Sequence, residues 1–79
     1  MSIKTIKYFE KIRSNIKRAY RLKQMIKYAS KSSNLYQYRE LVNVYKELIE
    51  STKKYLKNIE YPIYYEYLMK LILEVERNG

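Results

Sequence analysis

From Leu35 onward, eight residues (Leu35, Tyr38, Val42, Tyr45, Ile49, Thr52, Leu56 and Ile59) alternate intervals of three and four without a break. That spacing returns every one of these side chains to the same side of an α-helix and does not fit the period of two that a half-buried strand requires. Thr52 is the weakest member, being only partly apolar. Leu41, Leu48 and Tyr55 each precede a member of this seam and widen it, while Arg39, Lys46, Lys53 and Glu60 flank its other side. A face this broad suits two neighbours better than one, which favours a helical bundle over a two-stranded coiled coil.

The flanking segments obey the same period. One Gly and one Pro in 79 residues leave no material for a turn-rich sandwich or barrel, or for a glycine-rich phosphate loop. Before the seam, Phe9, Ile12, Ile16, Ala19 or Tyr20, and Ile26 line one side of a helix over residues 3–29. Its end falls at Ser30-Lys31-Ser32-Ser33-Asn34, whose short polar side chains compete with helical backbone and then cap the next helix, Asn34 with Gln37 resembling a capping box. Helix two spans 35–58. Pro62, tolerated in a first turn, opens helix three over 62–77, with Glu66, Lys70, Glu74 and Arg77 as a narrow polar stripe. Two to four residues join helices two and three, which predicts an antiparallel hairpin. The expectation is one all-α domain over residues 1–79: a long basic helix one plus the helix two–helix three hairpin. A chain this short exposes much of its surface, so a homodimer is expected to complete the bundle.

The residue inventory excludes much chemistry. No His, Cys, Asp or Trp is present, so zinc sites, thiolate nucleophiles, Ser-His-Asp triads and disulfides are out of reach. The expectation is a protein that is not an enzyme and has no cofactor or metal. No run of eighteen apolar residues exists to span a membrane, and no secretory leader pattern is found, so a cytoplasmic location is expected. A Lys-, Ile-, Tyr- and Asn-rich, Cys-free composition suits an AT-rich genome or a hyperthermophilic archaeon and its viruses or plasmids.

What the chain does is expected to follow from where its charge sits. The formal charge is +9, from seventeen bases and eight acids. Residues 1–31 hold ten of the bases and a single acid, Glu10, and residues 32–79 are balanced at seven of each. One helix therefore carries the whole excess. Lys4, Lys7, Lys11, Arg13, Lys17, Arg18 and Arg21 form its candidate phosphate-binding surface, where attraction comes largely from counterion release. The three Arg offer planar forks for bidentate contacts. A long helix and a Ser-rich turn do not fit a helix-turn-helix, so non-specific or shape-reading binding is expected. If the Ser30–Asn34 break bends, helix one extends from the hairpin and forks across a duplex, a layout analogous to basic zippers.

Eleven Tyr supply the second candidate surface. Tyr38, Tyr45 and Tyr55 fit the buried face of helix two, rings inward and hydroxyls at the edge. Four Tyr within seven residues (61, 64, 65 and 67) cannot all point inward. With Leu68, Leu71 and Ile72 they form a candidate protein interface. The expectation is a small nucleic-acid-binding protein, a viral or plasmid accessory or regulatory factor. The competing expectation is an adaptor that binds another protein through helix three.

Overall fold

The computed structural model describes residues 3–78. Met1, Ser2 and Gly79, the ends of the expected 1–79 domain, lie outside the described residues. Three helices run in order: α1 over Ile3–Lys31, α2 over Leu35–Tyr55 and α3 over Pro62–Arg77, with a single 3₁₀ turn at Leu56–Asn58 following α2. No strand occurs among the described residues, and none of their helices is long and apolar enough to cross a membrane.

Each boundary has a local cause. Ser30 Oγ donates to Lys27 O at 2.7 Å and Ser32 Oγ to Ala29 O at 3.0 Å, so the serines close the last turn of α1 with their own hydroxyls. Asn34 Oδ1 then accepts from the backbone N–H of Gln37 at 3.1 Å, capping α2 as its spacing predicts. The far end of α2 tightens into the 3₁₀ turn rather than remaining α-helical to 58. Beyond it, Ile59 and Tyr61 are extended and carry the chain across to α3, where Pro62 occupies the first turn.

α2 and α3 run antiparallel to each other, as their short connection predicts, but the most extensive packing lies elsewhere. α2 returns antiparallel along α1, placing Thr52 against Asn15 and Tyr55 against Tyr8. α3 runs back parallel to α1, its start beside Phe9 and its end beside Lys23. The most extensive packing is between α1 and α2, with α3 leaning on α1. The expected α2–α3 hairpin is looser, tied by Lys53 Nζ to Glu76 Oε1 at 3.0 Å and by a shared core. On α1 the small Thr5 and Ala19 are both fully buried, and Ile59 and Tyr61 are extended between the 3₁₀ turn and α3. Helix one is packed into the bundle and does not project from it.

The core is confined to one end. Ile12, Ile16 and Ala19 of α1 meet Ile49, Leu56 and Ile59, and Leu68, Ile72 and Val75 of α3 close the cluster. At about 1.5 Å per residue, the 29 residues of α1 span roughly 43 Å and the 16 of α3 only about 24 Å. The molecule is accordingly a rod of 48 × 18 × 14 Å whose far end is two helices thick. The heptad seam is buried only where α3 covers it: Ile49, Thr52, Leu56 and Ile59 are interior, Tyr38, Val42 and Tyr45 half-buried, and Leu35 exposed.

Candidate nucleic-acid interface

With its apolar face turned to α2 and α3, α1 presents its opposite side to solvent. Lys4, Lys7, Lys11, Arg13, Lys17, Arg18 and Arg21 are all exposed there. Lys4, Lys7, Lys11, Arg18 and Arg21 recur in one row at intervals of three, four, seven and three, and Lys11 Nζ lies 4.9 Å from the centre of the Tyr55 ring of α2. Arg13 and Lys17 stand apart from that row, lining a shallow depression with Glu10 and Ser14. The seven cations thus form a broad convex face with a main row and a second shoulder. Among the described residues the one ion pair within 4 Å is Lys53–Glu76, so none of these seven forms an ion pair at that distance.

The Tyr-rich segment divides. Tyr64 meets Phe9 edge-on at 5.7 Å and Tyr67 stacks on it at 6.2 Å, so two tyrosines clamp the Phe9 ring to α3. Tyr61 packs edge-on against Tyr64 at 5.9 Å. Leu68 and Ile72 have no exposed surface and belong to the core of one chain, and Leu71 is half-buried. The large apolar and aromatic side chains left accessible on or beside α3 are therefore Tyr61, Ile63, Tyr65, Tyr67 and Leu73, alongside the exposed Glu66, Lys70, Glu74 and Arg77.

Sequence spacing alone did not single out three polar features. Asn15 Nδ2 donates to Thr52 Oγ1 at 3.1 Å across the buried α1–α2 seam, and the Thr52 hydroxyl in turn donates to Leu48 O at 2.6 Å. Lys23 reaches over the end of α3, donating from Nζ to Glu76 O at 2.8 Å and Asn78 O at 3.1 Å, where a cation offsets the unpaired carbonyls of a helix C-terminus. The same Nζ lies 5.6 Å from the Tyr45 ring centre. Tyr45 Oη is buried without a hydrogen-bond partner among the described residues. Desolvation, then the negative charge of Glu76 and the nearby Tyr20, raise its pKa above the ordinary phenol value. One signal for Lys23 was available: it continues the series Ile12, Ile16, Ala19 at the next interval of four, a lysine at an apolar position.

Comparison with protein-family models, curated proteins and solved structures found no match to this chain.

Proposed function

We propose that this chain is a non-catalytic nucleic-acid-binding protein of the cytoplasm that holds phosphates on the outer face of α1. The observation that carries this reading is that seven exposed cations line that face with Glu10 as the sole acid of the helix and no ion pair among them. Thermostable surfaces usually set such cations among comparable numbers of carboxylates in networks. Left unpaired on a rigid helix, they are a surface for a polyanion. Recognition is of backbone charge and shape, since a convex face flush with the bundle follows phosphates more readily than it enters a groove. The role that suits these properties is an accessory or regulatory factor of an archaeal virus or plasmid. Homodimerisation through the accessible Ile63, Tyr65, Tyr67 and Leu73 is part of the proposal, because pairing doubles the basic surface a duplex meets.

A salt titration of binding to random-sequence duplex tests it, with the mass of the free protein measured in the same series. Contact with about five phosphates gives a log–log slope near −4 to −5. Changing Lys11, Arg18 and Arg21 together to Glu should abolish binding while leaving the helical signal and melting curve in place. Absence of binding at about 50 mM salt by the folded wild-type protein refutes the reading; a monomeric mass refutes the dimer alone.

A further inference from the structure

The groove between α1 and α2 does not end where α3 ends. α3 occupies its near half and ends at Arg77, where Lys23 Nζ bonds the carbonyls of Glu76 and Asn78. Immediately beyond, the same two helices enclose an open groove of ≈ 410 Å³. Its floor is apolar and aromatic, made by Ile26 of α1 with Tyr38, Val42 and Tyr45 of α2, and its rims carry Lys27 and Lys46. We propose that this far half of the groove docks an acidic amphipathic helix of a partner protein, which extends the three-helix bundle along the rod.

The near half defines what such a groove accepts. There, α3 inserts Leu68, Ile72 and Val75 at intervals of four and three, all fully buried, and brings the Glu76 carboxylate to Lys53 on the rim. The far half repeats that pattern: an apolar floor from the same heptad seam with Ile26, and a lysine on each wall. Lys27 and Lys46 have no carboxylate within 4 Å among the described residues, and no acidic side chain lines the groove. A helix with apolar residues at i, i+4 and i+7 flanked by Glu or Asp satisfies both requirements, as amphipathic helices do in other hydrophobic grooves. Charge also separates this occupant from a second copy of the chain. Two-fold pairing of the far halves brings Lys27 and Lys46 against their own counterparts, and like charges across an interface oppose association. A duplex meets the rim lysines but is too broad to reach an apolar floor recessed between two helices.

The test is selection of a phage-displayed library of 16-residue helical peptides on the full chain, followed by anisotropy of a labelled selected peptide. Enriched peptides should share the i, i+4, i+7 apolar pattern with flanking acids. Val42→Lys on the floor should weaken binding at least tenfold. The exposed pair Lys27→Glu with Lys46→Glu should do the same and regain binding when the peptide's acids are exchanged for Lys, a rescue that a damaged fold would not give. The Lys11, Arg18 and Arg21 to Glu variant should keep peptide affinity within about threefold, since none of these residues lines the groove. No enrichment over the Val42→Lys protein, or enriched peptides without acids, overturns the proposal. So does a 20-base-pair duplex that displaces the peptide, or a concentration-dependent dimer of the free chain that Val42→Lys dissociates.

Discussion

Tyr45 shows how a single side chain can be well packed and poorly satisfied at once. Its ring belongs to the α2 seam and faces the Lys23 ammonium, but its buried Oη has no hydrogen-bond partner among the described residues. An unsatisfied buried hydroxyl costs about 1–3 kcal/mol, so Tyr45→Phe should leave stability unchanged or raise it. The raised phenol pKa adds a pH signature. The unfolded chain loses the Tyr45 proton at the ordinary value near 10, before the folded chain does. Stability from this group is therefore full below about pH 10 and is lost as pH rises toward the folded-state value. Urea midpoints of wild type and Tyr45→Phe, compared from pH 8 to 11, should diverge above about pH 10 in favour of Phe. Both proteins share every other side chain, so the difference reports on the Tyr45 hydroxyl; parallel midpoints across that range would contradict it. Whether a hydroxyl finds a partner depends on three converging helices, and no spacing rule reaches that far.

At the scale of elements, the sequence is informative about where helices lie and much less about which pair packs most closely. The Ser30–Asn34 break and Pro62 mark both chain reversals, because each acts through local backbone chemistry. Periodicity then identifies an apolar face but not its neighbour. Three such faces joined by two short connections admit more than one closest pair. The Asn15–Thr52 bond fixes the alignment of α1 with α2, as single polar residues do in coiled-coil seams. Thr52→Val removes the acceptor and strands the Asn15 amide, which should cost about 1–3 kcal/mol in urea unfolding. Asn15→Ala removes the donor while Thr52 keeps its bond to Leu48 O. In a double-mutant cycle the combined variant should be less destabilised than the sum of the two singles. Strict additivity would mean that the two side chains act independently. The basic face of α1 was legible for the opposite reason: outward residues need only the helical period, with no knowledge of what lies behind them.

The whole molecule is a rod with its core at one end, and this asymmetry sets where it opens. Residues 12–19, 49–59 and 68–75 hold the three-helix core, whereas Ala29 is the one buried hydrophobic residue between Tyr20 and Leu48. Local opening draws on the contacts it breaks, so amides with few buried neighbours exchange with solvent through small fluctuations. Amides of residues 22–31 and 35–44 should exchange at least about tenfold faster than those of 12–19 and 49–55, a gap of roughly 1.4 kcal/mol or more. Uniform protection along α1 and α2 would show that the two-helix end is stabilised without a third helix. The same measurement separates the two surfaces. A duplex held on the outer face of α1 leaves the far half of α2 as open as before, since Lys4 to Arg21 lie alongside the covered half. A helix seated over Val42 and Tyr38 slows exchange at 35–44 and 22–31 together and brings the far end toward the protection that α3 already gives the near end.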